Sequence, residues 1–163
     1  MLRSLLEDRF RMSVRREIRD LPIYALVIAR ADGRLGPRLR RPTSDFCARR
    51  AAAADKGIDM PPPAGTVCGI RGNSNELTAG SFPIAGFARF LAGESGRLVV
   101  DRTGLTGEWD FDLKWSAPGA PNPDPDHPVI FTALLEQLGL RLEATTGPVD
   151  VLVIDRLEAL IPD

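Results

Sequence analysis

The segment that decides the expected fold is VVDRTGLTGEWDFDLKW, residues 99–115. It predicts a strand, a turn around the glycines at 104 and 107, and a second strand in which apolar and polar residues alternate. The apolar positions of that second strand are Trp109, Phe111, Leu113 and Trp115. The polar positions are Glu108, Asp110, Asp112 and Lys114. Because alternate side chains of a strand point to opposite faces, we expect the aromatic set in the core and the acids on the other face.

A helix followed by two strands is predicted three times along the chain. The three segments are residues 5–30, 90–115 and 134–156, with turns expected at RDLP (19–22), at 104–107 and near Gly147. A single helix and hairpin cannot bury their apolar sides alone, so several such units must share a core. The sequence therefore predicts an α+β fold of three helix–strand–strand repeats, with the helices packed on a mainly antiparallel sheet.

Cap residues mark the ends of the predicted helices. After a short strand at NELTAG (75–80), Ser81 is expected to cap a helix over 81–95. Gly139 is expected to end the helix VIFTALLEQLG, and Gly57 to end a short helix around AAAA at 51–54.

A long Gly-, Pro- and Arg-rich loop, residues 31–74, separates the first unit (1–30) from the remaining units (75–163), and we expect one compact domain overall. Cys47 and Cys68 lie in this loop, and an even cysteine count favours a disulfide between them. Closing a loop of about 20 residues contributes roughly 3 kcal/mol. Two separate buried thiols are the alternative. Because disulfides persist in oxidising compartments, we expect an extracytoplasmic protein whose leader is not part of this chain.

The composition narrows the classes of partner. A net charge of −1 argues against a general nucleic-acid binder. No apolar run approaches the roughly 20 residues that span a bilayer, so no transmembrane segment is expected. The segment GIRGNSNELTAG (69–80) lacks the Lys-Ser/Thr of a phosphate-binding loop, and two cysteines without a nearby histidine are a poor zinc site. The sequence therefore predicts no cofactor and no metal.

The candidate catalytic residues are Glu108, Asp110, Asp112 and His127. On one strand face, successive carboxylates lie roughly 6 to 7 Å apart, which is near the spacing of paired carboxylates in glycosidases. His127, the sole histidine, follows Asp124 and Asp126 in DPDHP and is a candidate base or ligand. The simpler interpretation is a solvated strand face and an exposed loop. Asp101, in VVDRTG, is expected to accept hydrogen bonds from the turn that follows it or to pair with Arg102.

Three segments together carry a family resemblance: residues 1–29, 86–115 and 131–158. They resemble an uncharacterised family expanded in soil bacteria, the domain of unknown function 3738, and the blocks VVDRTGLTGEWDF and VLVIDRLE are the most specific. The resemblance implies export and an extracytoplasmic sensing or interaction role, and it brings no catalytic residues. Arg156 stands where the family often has histidine. Residues 76–115 are also similar to the short N-terminal module of secretins and TonB-dependent receptors, which binds partners.

Two hypotheses follow. The first is a non-catalytic extracytoplasmic binding, sensing or interaction module for a protein or small-molecule ligand, with pairing between copies through a sheet edge as a further option. The second is a hydrolase, with glycosides as one substrate class, that uses Glu108, Asp110 or Asp112 with His127 or Asp101.

Overall fold

The computed structural model describes residue 5 and residues 9–73, 75–116 and 127–158. Most of the helix expected at the start of the first unit (1–30) lies outside these residues, as does the segment 117–126. In chain order, the described elements are β1 (Ser13–Ile28), β2 (Leu39–Arg40), α1 (Phe46–Ala54), β3 (Gly69–Gly72), β4 (Glu76–Pro83), α2 (Ile84–Ser95), β5 (Val99–Asp101), β6 (Glu108–Lys114), α3 (Ile130–Ala133), a π-helical turn (Leu134–Leu138) and β7 (Leu140–Arg156). No described helix is both long and apolar enough to cross a membrane.

The fold is α+β, as predicted, and it contains two sheets. One has the strand order β5-β1-β7, and in it β1 pairs parallel with β5. The other has the order β2-β6-β4-β3 and is antiparallel throughout. The expected hairpin between residues 99–101 and 108–114 is therefore wrong, because β5 and β6 belong to different sheets. The turn between them carries the chain from one sheet to the other.

Two of the expected turns do not form. Residues 19–22 lie inside the 16-residue strand β1, and Gly147 lies inside the 17-residue strand β7. These two strands are neighbours in one sheet, so each finds its partner far along the chain and not in a local hairpin. The structure therefore does not clearly show the three-unit repeat.

The contacts divide the chain into two units, residues 1–22 with 145–163, and residues 23–144. In the first unit, the described parts of β1 and β7 run antiparallel. The Glu158 N–H donates to the Phe10 carbonyl, and further along the strands the Arg16 guanidinium donates to Asp150. The expected division of the chain into residues 1–30, 31–74 and 75–163 stays a prediction.

The second unit holds the buried core, and β6 supplies its centre. The aromatic set of β6 is at most 5% exposed, which confirms the predicted faces of that strand. The ring centroids of Phe87, from α2, and Phe111 lie 4.6 Å apart. The π-helical turn ends at Gly139, as expected for a helix stop. A side chain is excluded there, because a β-carbon would lie 2.5 Å from the Gly36 nitrogen.

Candidate functional site

The predicted disulfide is present and holds the loop over the four-stranded sheet. Cys47, in the first turn of α1, is bonded to Cys68, which directly precedes β3, with 5.4 Å between the two α-carbons. Helix α1 has no buried residue of its own. A hydrogen bond from Arg50 Nε to the Met60 carbonyl at 2.8 Å also ties the helix to the loop. The disulfide is therefore a main attachment of this helix.

Two adjoining hollows lie between this loop and strands β4 and β6, and we call them together the disulfide cleft. The larger hollow has a volume of about 330 Å³ and the smaller about 250 Å³. Both are lined by Cys47 and Ser81. The polar face of β6 contributes Glu108 to the larger hollow and Asp110 to the smaller.

A β-bulge in β4 places Ser81 between the two hollows. The register of β4 against β6 shifts between Ala79 and Phe82. Ser81 has a φ of +47°, a conformation that costs a non-glycine residue about 1 kcal/mol or more. Its N–H donates to Asp110 Oδ1 at 2.8 Å, which offsets part of that cost. The prediction that Ser81 caps a helix is wrong, because α2 begins three residues later, at Ile84.

The two aspartates of β6 each have a partner within the fold. Asp110 accepts the Ser81 N–H, and Asp112 accepts the Thr78 hydroxyl at 3.0 Å. Arg40 forms an ion pair with Asp112 at 3.7 Å. Both aspartates are thus engaged by the fold itself, and Glu108 faces a different hollow from Asp110.

Charge and apolar surface meet in the larger hollow. Its apolar wall consists of Ala51, Ala54, Ile58 and Met60. Its acids are Glu108 and Asp59, and neither forms an ion pair with another described residue. Its one cation, Arg50, already donates to the Met60 carbonyl. The hollow therefore offers an apolar wall with a net negative rim.

Arginine 41 fixes the strand end beside this hollow. Its guanidinium carbon lies 3.8 Å from the centre of the Trp109 ring, and its Nη1 donates to the Thr106 carbonyl at 2.7 Å. Trp109 Nε1 donates to the same carbonyl at 3.2 Å. The cation–π contact and the shared acceptor hold the start of β6, and with it Glu108, in place.

The remaining candidates lie elsewhere. The Ser116 hydroxyl donates to the His127 carbonyl, so the main chain of His127 lies beyond the far end of β6. At about 3.3 Å per residue, Ser116 is roughly 20 Å along the strand from Asp110. Asp124 and Asp126 lie outside the described residues. Within the described ranges, no three or more His, Cys, Asp or Glu residues are placed to hold a metal ion.

Asp101 has a structural role that the sequence anticipated. Its Oδ1 accepts both the N–H and the hydroxyl of Thr103, at 2.9 and 2.7 Å. The Thr103 hydroxyl oxygen in turn accepts the Leu105 N–H. These bonds build the turn that carries the chain between the two sheets.

Comparison with known proteins gives the family. A profile for proteins of unknown function (DUF3738) matches residues 1–157. The chain belongs to the DUF3738 family. Searches of curated proteins and of solved structures each find no match. Membership of DUF3738 covers nearly the whole chain, including both sheets and the disulfide cleft, and it assigns no activity to them.

Proposed function

We propose that this DUF3738 protein is a non-catalytic extracytoplasmic binding module whose ligand occupies the larger hollow of the disulfide cleft. The observation that carries the proposal is one hollow that joins an apolar wall to two carboxylates, Glu108 and Asp59, without an ion-pair partner among the described residues. Its volume of about 330 Å³ falls within the usual range for small-ligand sites, near the lower end.

The chemistry of the hollow indicates the ligand class. The methyl and thioether groups of Ala51, Ala54 and Met60 favour an apolar body. The two carboxylates outnumber the one arginine among the lining residues, and the resulting net charge of −1 favours an ammonium or guanidinium group. A small amine, or a basic side chain of a partner protein, has both parts.

The arrangement of the acids favours binding over glycoside hydrolysis. A glycosidase needs two carboxyl groups on either side of one bond. Glu108 and Asp110 face separate hollows, and Asp110 is occupied by the Ser81 amide. The main chain of His127 lies beyond the opposite end of the strand.

One further observation supports an extracytoplasmic location. The Cys47–Cys68 disulfide requires an oxidising compartment to persist in most cells.

Titration with benzylamine tests the proposal, with benzyl alcohol as the uncharged control. We expect benzylamine to shift the backbone amide signals of α1 and of the start of β6, and benzyl alcohol to do so more weakly. Glu108→Gln should weaken benzylamine binding roughly two- to fivefold, the effect of one exposed charge pair. Glu136→Gln removes an exposed acid outside the cleft and should have no effect. Equal shifts with both compounds, or shifts elsewhere, would contradict the proposal.

Chromogenic esters and glycosides test the competing hydrolase. We expect no turnover above background by the wild-type protein, Glu108→Gln or Asp110→Asn. Hydrolysis by the wild-type protein that either substitution abolishes would establish the catalytic alternative.

A further inference from the structure

The free edge of the four-stranded sheet carries a second binding surface, separate from the proposed ligand hollow. Strand β3 is the outermost strand of the order β2-β6-β4-β3, and Ile70, Arg71 and Gly72 are all exposed. An open groove of about 530 Å³ lies beside it, and we call it the edge groove. Its lining residues are Ile70, Arg71, Gly72, Asn73, Leu77, Phe90 and Glu94.

The register of the sheet shows which backbone groups face outward. The Asn73 N–H donates to the Glu76 carbonyl, so Asn73 and Glu76 form a hydrogen-bonded pair. Such pairs alternate along antiparallel strands, so Arg71 is hydrogen-bonded to Thr78, its partner on β4. The N–H and C=O groups of Ile70 and Gly72 therefore point away from β4. They form no hydrogen bond to another described residue outside the strand pair.

The two faces of this edge differ in chemistry. Ile70 and Gly72 lie opposite the buried Ala79 and Leu77, so they share the core face of the sheet. On that face Leu77 and the half-buried Phe90 give the edge groove an apolar lining, and Gly72 cannot carry a side chain, because a β-carbon would lie 2.2 Å from the Glu76 carbonyl oxygen. Arg71 lies opposite Thr78 and so belongs to the other face, where it has no ion-pair partner among the described residues. A strand added to β3 would meet the apolar side chains of the edge groove on one face and Arg71 on the other.

We propose that β3 binds an extended peptide by strand addition, and that the peptide carries an acidic residue between two apolar residues. The backbone groups of Ile70 and Gly72 supply the hydrogen bonds. Alternation then directs the two apolar side chains into the edge groove and the acid toward Arg71. Glu94 at the groove rim disfavours a carboxylate on the core face, which selects this order of residues.

Charge argues against a second copy of this chain as the occupant. Two β3 strands that pair about a two-fold axis must match outward-facing residues with outward-facing residues. Only the register that pairs Ile70 of one copy with Gly72 of the other uses both outward-facing residues of β3, and it places the two Arg71 side chains directly opposite each other. Like charges opposite each other destabilise a sheet, whereas a carboxylate at that position stabilises it.

The test uses the synthetic peptide acetyl-STVDVTS-amide and its lysine counterpart acetyl-STVKVTS-amide. We expect the aspartate peptide to bind roughly fivefold more tightly, the upper range for a cross-strand charge pair. In the oxidised full chain it should slow hydrogen exchange of the Ile70 and Gly72 amides and leave that of Arg71 unchanged. Arg71→Glu should reverse the preference between the two peptides. Arg102→Glu makes the same charge change on an exposed residue outside the edge groove and should not.

Each other result overturns the proposal. Binding without protection of the Ile70 and Gly72 amides would place the peptide elsewhere. If Arg71→Glu still preferred the aspartate peptide, Arg71 would not be the group that recognises the acidic residue. Protection of the same amides without peptide, growing with protein concentration, would make a second copy the occupant. The exchange measurement needs no variant, so it decides the matter even if Arg71→Glu does not fold.

Discussion

The side-chain amide of Gln137 makes hydrogen bonds to both main-chain groups of Lys114. Its Oε1 accepts the Lys114 N–H at 3.0 Å, and its Nε2 donates to the Lys114 carbonyl at 2.7 Å. Strand β2 pairs with β6 only at Phe111 and Asp110, so it does not reach this far. Gln137 is buried and takes the place that a longer neighbouring strand would occupy.

Replacing Gln137 by leucine should destabilise the protein by about 3 kcal/mol. The substitution leaves a buried N–H and a buried carbonyl of β6 without partners, and each such group costs about 1 to 3 kcal/mol. Urea unfolding followed by tryptophan fluorescence measures the change. Glu136→Leu, at the exposed neighbouring position, is the matched control and should stay within about 0.5 kcal/mol of wild type. Equal losses in the two variants would contradict the bridging role.

Substitution of Asp101 tests whether the turn after β5 needs its hydrogen bonds or its negative charge. Asp101→Asn keeps an Oδ1 that can accept both bonds from Thr103, so its stability should lie close to that of wild type. Asp101→Ala loses both bonds and should cost about 1 to 2 kcal/mol. Thermal unfolding of the three proteins checks this order. If asparagine proved as damaging as alanine, the negative charge itself would be what the turn requires.

Removal of the disulfide should open the loop before the core. In a Cys47→Ser, Cys68→Ser double variant, α1 loses its disulfide link to the residue before β3. A nine-residue helix without buried residues has only marginal stability by itself. We expect hydrogen exchange in α1 to become much faster, while β4 and β6 keep their protection. The wild-type protein treated with dithiothreitol should behave in the same way. Uniform loss of protection across both sheets would show that the disulfide supports the core as well.

Asp32 should titrate at unusually low pH. The Arg30 guanidinium donates two hydrogen bonds to its carboxylate and the Arg34 N–H donates a third, which lowers the pKa of Asp32 to about 2. A lowered pKa in the folded state stabilises the protein above the unfolded value of 3.8, and that contribution is lost as the pH falls toward about 2. Carbon-13 NMR of the carboxyl group measures the midpoint. Arg30→Gln should raise the pKa, whereas Arg34→Gln keeps its main-chain donor and should not.

Much of the fold could be predicted because it depends on local periodicity. Alternation along 108–115 assigned the buried face of β6, and the two cysteines indicated the disulfide. Gly139 marked a helix end, and Asp101 with Gly104 marked a turn, since each needs only the conformation of neighbouring residues.

The site could be predicted only in part. The acidic positions of β6 follow from alternation. Their separation into two hollows depends on the β-bulge at Ser81, which the sequence did not indicate, since Ser81 was expected to cap a helix. The covering helix was expected, whereas its position over the acids was not. The role of Gln137 has no sequence signal, because nothing nearby in the sequence indicates that Lys114 needs a partner.

The sequence by itself determined the buried face of β6, the turn after Asp101, the helix end at Gly139 and the two cysteines that could pair, because those properties depend on residues a few positions apart. Only the tertiary structure decided that β1 pairs with β5 and β7, that β5 and β6 part into separate sheets, and that β3 is left as an open edge. A strand presents similar hydrogen-bonding groups to any neighbour, so its partner is chosen by the packing of the whole chain and not by its own residues.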